Sequence, residues 1–281
     1  MEKRNGSSIR RRILGRRLRE LRELAGYTLE SAAPALDASV SRLSRIETGQ
    51  QKADVHLVKS MLDLFDAGGD HWTELLALAR EAGQRGWYRA YGLGDNSYVG
   101  YETEATQVLE YALGFVPGLL QVPDYSRALY DASPMRRTAA EREREVEVRT
   151  IRQRRLHSED DPLRLAAILD DAALRNPVGG RETHCAQLAH LHTAAELPTV
   201  TLQVLPAGQG AHPALASGFM VLRFGDLGEP DMAYAEHALG ATLLEKEPEV
   251  TLARLKFDQL RTLALAPVES RELIRRVAGE L

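Results

Sequence analysis

Apolar residues in the first part of the chain recur at three- and four-residue spacing, the period of a helix with one buried face. In the stretch 9–25 arginines fill most other positions, and the apolar stripe consists of Ile9, Ile13, Leu14, Leu18, Leu21 and Leu24. Gly26 ends this helix, because the residue after a helix C-terminus often needs a positive φ. The same spacing predicts helices at 28–36, 40–48, 55–65 and 71–82. We therefore expect a compact N-terminal bundle of about five helices.

Beyond residue 100 the apolar pattern becomes mixed. Helical spacing covers 101–113, 124–131 and 138–156 and returns at 182–196, 250–265 and 267–281. Short apolar runs bounded by Gly, Pro or Asp are typical of strands, and they lie at 163–169, 200–205, 219–224, 232–235 and 241–244. The expected fold class is a mainly α N-terminal bundle plus an α+β C-terminal domain with a small sheet of about five strands.

A segment of different composition separates these two patterns. Residues 83–100 combine five glycines with the aromatic residues Trp87, Tyr88, Tyr91 and Tyr98. Aromatic side chains suit an ordered, packed connection better than a flexible linker. We therefore expect a first domain at 1–82, an ordered connection at 83–100 and a regulatory α+β domain at 101–281.

The formal net charge of −4 hides an uneven distribution of charge. Residues 1–60 contain 13 Lys and Arg against 7 Asp and Glu, whereas the rest of the chain has an excess of acidic residues. A basic N-terminal part joined to an acidic remainder is typical of a protein in which one domain binds nucleic acid. The alternatives are a basic helix on a membrane surface and a helical bundle whose arginines only face solvent.

Cysteine usage and hydropathy favour a cytoplasmic protein. Cys185 is the single cysteine, so no internal disulfide forms and no cysteine cluster holds a metal. No apolar run approaches the roughly 18 residues needed to span a bilayer, and the N-terminal residues lead into arginines rather than into an apolar signal segment. We expect cytoplasmic localisation without membrane association.

Residues 28–49 have the layout of a helix-turn-helix. Ala33 is small where the two helices would cross, and Ser39 is a good N-cap for the second helix. The positions that face inward are Leu36, Leu43 and Ile46. The second helix projects Ser41, Arg42 and Arg45. A helix of this kind fits the DNA major groove, where arginine can read a base edge with two hydrogen bonds.

The end of this second helix resembles a family signature. The run SRIETG at 44–49 is similar to the Ser-Arg-Ile-Glu-x-Gly signature of the xenobiotic-response-element (XRE) regulators. The resemblance implies a structural ion pair between Arg22 and Glu47. If that pair is largely buried, loss of one partner should cost about 3 to 5 kcal/mol.

The same resemblance implies DNA-contacting roles. Ser39 and Thr48 would donate to phosphates, Val40, Ser41 and Arg45 would face bases, and Arg42 would serve either purpose. A separate hypothesis is that Lys52 neutralises phosphates together with Arg10, Arg11 and Arg12, which predicts affinity that falls steeply with salt. Three residues depart from the family pattern, namely Leu29 in place of a frequent glutamine, Asp37 in place of the turn glycine, and Pro34 inside the first helix of the motif.

A second resemblance begins at residue 116. The run VPGLLQVPDYSR at 116–127 looks like the signature of a domain of unknown function attached to many actinobacterial regulators of this kind. The resemblance implies an antitoxin-like transcription regulator, encoded beside a small partner protein. Pro117 and Gly118 predict a turn that anchors the core, and the alternative is a partner or ligand surface with Gln121, Tyr125 and Arg127 exposed. In the helix that follows, Glu145 and Arg149 are expected to pair on a solvated face.

Histidine is the residue type that invites a catalytic or metal-binding interpretation. His184 and His190 are six residues apart, and His190 and His192 are two apart, so neither pair has the four-residue spacing of a zinc pair on a helix. The sequence shows no phosphate loop or nucleophile elbow. We expect no metal, no cofactor and no enzymatic activity, with one hypothesis left open, a pocket in which His212 and Glu236 meet across a sheet edge.

Together these patterns predict a homodimeric DNA-binding transcription regulator, because one short recognition helix reads few base pairs and two-fold pairing doubles the contacts. The C-terminal domain would mediate regulation by binding a small protein partner, and a flat apolar patch around 117–125 would favour this. The alternative is a ligand-gated regulator, favoured by an apolar pocket with a few convergent polar groups.

Overall fold

The computed structural model describes residues 8–281. Their contacts divide them into two compact units. The first contains residues 8–104 together with 226–229, and the second contains 105–225 and 230–281. The segment 83–100 lies in the first unit.

The first unit is built from helices. Its elements are α1 (Ser8–Leu24), α2 (Leu29–Ala35), α3 (Val40–Glu47), α4 (Val55–Leu64), α5 (Gly69–Ala82), a 3₁₀ turn (Trp87–Tyr91) and α6 (Tyr98–Glu104). The apolar faces of α1 to α5 enclose one core, which includes Leu18, Leu43, Ile46, Met61 and Leu75. The expected bundle of five helices is confirmed.

Local capping chemistry explains where the helices of the motif begin and end. The Thr28 side chain accepts a hydrogen bond from the Ser31 backbone N–H, and Ser31 in turn bonds back to Thr28, which starts α2. Asp37 follows α2 with a φ of 48°, a left-handed conformation that aspartate tolerates better than most residues. The turn between α2 and α3 therefore forms without the glycine that the family pattern has there.

The second unit combines helices with one mixed sheet. In chain order it contains β1 (Gln107–Ala112), α7 (Pro123–Asp131), α8 (Ala139–Gln153), β2 (Arg164–Asp170), α9 (Asp171–Arg175), α10 (Gly180–Ala194), β3 (Val200–Leu205), β4 (Phe219–Arg223), β5 (Met232–His237), β6 (Gly240–Leu244), α11 (Glu247–Leu263) and α12 (Pro267–Glu280). The strand order is β3-β2-β1-β4-β5-β6. The pairs β1–β2 and β2–β3 are parallel, and the remaining pairs are antiparallel.

One face of the sheet packs against α11. The core on this face includes Tyr111, Ile168, Val221, Phe257 and Leu260. At the edge of the sheet, Ser270 of α12 accepts a hydrogen bond from the backbone N–H of Val204 at 2.9 Å. This contact satisfies a backbone donor that an edge strand would otherwise leave unpaired.

The prediction of one helix over 101–113 is wrong. Helix α6 ends at Glu104, and Gln107–Ala112 form the strand β1 between β2 and β4, so the sheet has six strands. Val108 and Tyr111, which point to opposite faces, are 0% and 1% exposed. A strand buried on both faces shows no alternation of polar and apolar residues, so periodicity alone cannot distinguish it from a helix.

Candidate nucleic-acid interface

Helix α3 has one buried side and one side open to solvent. It begins at Ser39, whose Oγ accepts a hydrogen bond from the Arg42 backbone N–H at 3.2 Å. It ends before Gly49, which has a φ of 72° and donates its N–H to the Ile46 carbonyl. Leu43 and Ile46 are buried in the core. Packing of this one side leaves the opposite side of the helix facing outward.

The outward side of α3 carries the residues that the sequence assigned to base contacts. Val40, Ser41 and Arg45 are exposed. The Arg45 guanidinium donates to Gln51 Oε1 at 3.1 Å and to Ser41 Oγ at 3.0 Å. Arg42 is partly exposed, and no described residue hydrogen-bonds to its guanidinium. The remaining donors of Arg45 and those of Arg42 are available to a ligand.

The three predicted phosphate contacts differ in how their donors are used. The Ser39 hydroxyl accepts a hydrogen bond and keeps its own proton free to donate. The Thr48 hydroxyl donates to the Ser44 carbonyl at 2.9 Å, so a phosphate would compete with a backbone acceptor. The Lys52 ammonium donates to the Gly83 carbonyl at 2.7 Å and retains further protons. All three residues are exposed.

Arg22 and Glu47 hold α1 against the end of α3. Arg22 Nε lies 2.6 Å from Glu47 Oε1, Arg22 Nη2 lies 2.8 Å from Glu47 Oε2, and Nη1 donates to the Tyr27 carbonyl at 2.7 Å. The side chains of Arg22 and Glu47 are 7% and 3% exposed. The hydrogen bond with Glu47 outweighs the effect of burial and raises the pKa of Arg22, so this arginine stays charged.

Gly15 is a residue of this interface that the sequence interpretation missed. A Cβ at this position would lie 2.4 Å from the Ile46 carbonyl oxygen and 2.6 Å from that of Glu47. The absence of a side chain therefore lets α1 and α3 approach backbone to backbone. A glycine inside the helical pattern of 9–25 was the available signal, because a glycine there usually has a packing reason.

Arg10, Arg11 and Arg12 are not a free basic patch, and the expectation that they neutralise phosphates is wrong for the described arrangement. Arg10 bonds Glu104 at 2.9 Å and also contacts Glu81. Arg11 bonds Asp95 at 2.9 Å, and Arg12 forms an ion pair with Glu229 at 2.9 Å. These acidic partners lie at least 71 residues away in sequence, so the spacing in 1–60 cannot reveal them.

The Asp95 carboxylate of the first unit accepts hydrogen bonds from three residues. The donors are Arg11, Arg89 and the Tyr88 hydroxyl. Burial alone would raise the pKa of Asp95, but the hydrogen bonds from Arg89 and Arg11 outweigh burial and hold the pKa below its usual value. Asp95 is therefore a charged anchor for the start of α1.

Comparison with known proteins assigns both units to families. Residues 13–75 match a family described as "Helix-turn-helix domain". Residues 96–276, more than half of the chain, match the "Domain of unknown function (DUF5753)". The chain belongs to the DUF5753 family. Its helix-turn-helix domain is similar to the "Uncharacterized HTH-type transcriptional regulator YazB" of Bacillus subtilis (strain 168), with 40% identity over 58 residues, or 21% of this chain and 84% of YazB. No solved structure gives a significant match.

In the DUF5753 domain the segment 116–127 anchors the core. Gln121 and Tyr125 are 2% and 0% exposed, so their predicted exposure is wrong. Gln121 donates to the Val116 carbonyl at 2.6 Å, and the Tyr125 hydroxyl accepts from the Val116 N–H at 3.2 Å. Arg127 is partly exposed and pairs with Glu143 and Asp124. The segment therefore presents no flat apolar patch around 117–125.

Arg149 does not form the predicted surface pair with Glu145. Its guanidinium lies 4.8 Å from the Tyr130 ring centroid, donates to the Tyr130 hydroxyl at 2.8 Å and contacts Gln121. Burial lowers the pKa of Arg149. Glu145 pairs instead with Arg137 at 2.8 Å. The charged residues of α8 therefore do not all face solvent, because Arg149 packs against Tyr130 of α7.

His212 and Glu236 do not meet in one pocket. The His212 ring lies 5.8 Å from the Tyr111 ring, on the sheet face that packs against α11. Ala233 and Ala235 of β5 also belong to that face. Glu236 directly follows Ala235 on the strand, so its side chain points to the opposite face of the sheet. Within residues 8–281, no three His, Cys, Asp or Glu side chains cluster as a metal site. No helix of those residues is long and apolar enough to cross a membrane.

The DUF5753 domain contains a cavity of about 320 Å³ between the sheet and α11. Its apolar floor includes Leu109, Ile168 and Phe257, and the polar groups of its wall include Gln107, Thr201 and Gln203. Three arginines, Arg223, Arg254 and Arg261, also line it. This site was not predicted, because its residues come from four strands and one helix.

Proposed function

We propose that this protein is a sequence-specific DNA-binding transcription regulator that inserts α3 into the major groove. The observation that carries the proposal is the outward side of α3, where Arg45 is exposed and oriented by Ser41 and Gln51. A helix that is anchored on one side and polar on the other fits the width of the major groove. This role needs contact with chromosomal DNA in the cytoplasm and no catalytic group.

Within this proposal the exposed residues have distinct tasks. Arg45 reads a base edge with two hydrogen-bond donors. Val40 makes an apolar contact, for example with a thymine methyl group. Ser39 and Lys52 bind phosphates, which fixes the position of α3 without reading sequence. Arg42 lies between these two groups and serves either task.

We also propose that two copies act together on DNA. A single α3 presents few side chains to bases, and a symmetric dimer reads two half-sites about one helical turn apart. The expected operator is a near-palindrome. Light scattering of the protein with and without operator DNA measures the stoichiometry, and one copy per operator would contradict this part.

The test of the main proposal is selection of bound sequences from a random DNA pool with the full chain, followed by affinity measurements on the selected site. Arg45→Ala should reduce discrimination between this site and a scrambled one by about 1 to 3 kcal/mol. Arg275→Ala is the control, because it also removes an exposed arginine but lies on α12. Equal discrimination by the two variants would refute the role of α3.

The regulatory signal has two candidates. The antitoxin-like resemblance favours a small protein encoded by the adjacent gene, and selection with and without that protein tests it. The buried state of Gln121 and Tyr125 removes the flat patch that would have supported docking at 117–125. The cavity of the DUF5753 domain supports the other candidate, a ligand-gated regulator.

A further inference from the structure

We infer that the DUF5753 domain binds a small organic anion, with a carboxylate or phosphate head group, in the cavity between its sheet and α11. The volume of about 320 Å³ lies within the range of natural small-molecule sites. The inference concerns binding to this domain alone and does not depend on DNA binding by α3.

The cavity results from incomplete cover of the sheet. Helix α11 buries Phe257 and Leu260 against one part of the face. Near the start of β2 and β3 the same face carries the smaller residues Ala166 and Thr201, and Thr201 is exposed. Small side chains on the strands leave room beside α11 that no described side chain fills.

The three arginines of the cavity lining are positioned to bind an anion inside the cavity. Arg254 and Arg261 lie seven residues apart on α11, two turns along one side of the helix, and Arg223 is at the end of β4. All three side chains are between 37% and 58% exposed. Guanidinium groups recognise carboxylate and phosphate through paired hydrogen bonds, which makes arginine the expected residue for such a site.

The carboxylates beside these arginines hold them loosely. Asp231 is shared by Arg223 at 3.4 Å and Arg254 at 3.3 Å, and Asp258 lies 3.2 Å from Arg261. These distances exceed the roughly 2.8 Å of a strong charge-assisted hydrogen bond. Glu247, which contacts Arg254 at 3.0 Å, and Asp258 are more than half exposed, so a bound anion can displace them into water.

The floor of the cavity indicates that the anion has an apolar body. The partly exposed Leu109 and Ala166 would contact that body, with Ile168 and Phe257 buried behind them. The Thr201 hydroxyl and the Gln107 amide, whose oxygen accepts from Arg223 at 3.0 Å, can bond polar substituents. An apolar protein surface is a poorer occupant, because it would desolvate three guanidinium groups without offering acceptors.

Isothermal titration of the full chain in the absence of DNA tests the inference. The probes are benzoate, phenyl phosphate and benzamide, which share a ring and differ in head group. We expect saturable binding of at least one anion in the millimolar range or below, and no binding of uncharged benzamide. The stronger anion identifies the head group as carboxylate or phosphate. Failure of both anions, or equal binding of benzamide, overturns the inference.

Two variants locate the binding. Arg261→Gln should weaken anion binding by roughly fivefold to tenfold, because it removes one charge-assisted interaction at a partly exposed site. Arg275→Gln is its matched control, since Arg275 also pairs with an acid three residues earlier on an exposed helix surface. Ala166→Leu keeps all charges and fills the cavity, and it should abolish binding. Circular dichroism verifies that each variant is folded, and unchanged affinity in Arg261→Gln and Ala166→Leu overturns the assignment.

Discussion

Replacement of Glu47 by alanine should destabilise the first unit strongly. The Glu47 side chain is 3% exposed and accepts two hydrogen bonds from Arg22, whose side chain is 7% exposed. In Glu47→Ala the guanidinium keeps its bond to the Tyr27 carbonyl and a longer contact of 3.5 Å with the half-exposed Glu23, but it loses the buried carboxylate that accepts its two strongest ion-pair bonds. A cation would thus remain in a site from which water is largely excluded.

The magnitude follows from this burial. Loss of one partner of a buried ion pair costs about 3 to 5 kcal/mol, because the other charge stays desolvated. Glu47→Gln retains one acceptor, so we expect about half of that loss. Urea unfolding with a slope near 2 kcal/mol per molar would shift the midpoint of Glu47→Ala down by about 2 M.

Tryptophan fluorescence is the suitable assay, because both tryptophans, Trp72 and Trp87, lie in the first unit. Glu74→Ala is the matched control, since Glu74 also pairs with an arginine of α1, Arg17, but its side chain is 55% exposed. Exposed pairs contribute about 0 to 1 kcal/mol. If Glu47→Ala lowered the midpoint no more than Glu74→Ala does, the reasoning from burial would be refuted.

Three further predictions concern the same unit. Gly15→Ala should destabilise it by about 1 to 3 kcal/mol, because the new Cβ meets the Ile46 carbonyl, and thermal unfolding measures this. Asp95→Asn should destabilise it near neutral pH, and the difference from wild type should shrink as pH falls below about 4, because the lowered pKa of Asp95 stabilises only the ionised folded state. Lys52→Gln should reduce the salt slope of DNA binding by about one, whereas Arg11→Gln should leave it unchanged.

Each of these predictions has a contrary result. Gly279→Ala on α12 places its Cβ in open space, so equal effects of the two glycine variants would deny a close approach at Gly15. An Asp95→Asn effect of constant size from pH 7 down to about pH 3 would show that its charge is not the stabilising factor. Equal salt slopes in Lys52→Gln and wild type would remove Lys52 from the phosphate contacts.

The parts of the interface that depend on local sequence could be predicted. Ser39 caps α3 because its side chain reaches a backbone donor three residues on, and Leu43 and Ile46 turn inward because helical spacing puts them there. The Arg22–Glu47 contact was expected from a family signature. Such features depend on a few residues close in sequence or on a known motif.

The parts that failed depend on partners far away in the chain. Arg11 looks like a free cation within 1–60, and only the fold brings Asp95 to it. Arg149 looks like half of a surface pair, yet Tyr130 and Gln121 enclose it. The strand β1 was mistaken for a helix because both of its faces are buried, so its sequence lacks the alternation of polar and apolar residues that would identify a strand.

The ion pairs of Glu229 with Arg12 and Arg16 affect both the folding of the first unit during translation and the choice of fragments for DNA-binding measurements. Arg12 and Arg16 are compensated by this carboxylate, which the ribosome adds more than two hundred residues after them. A fragment truncated at residue 104 would lack the carboxylate that pairs with Arg12 and Arg16, so we expect it to bind any DNA more strongly than the full chain does. During translation, the first unit cannot reach its complete form until most of the second has been synthesised.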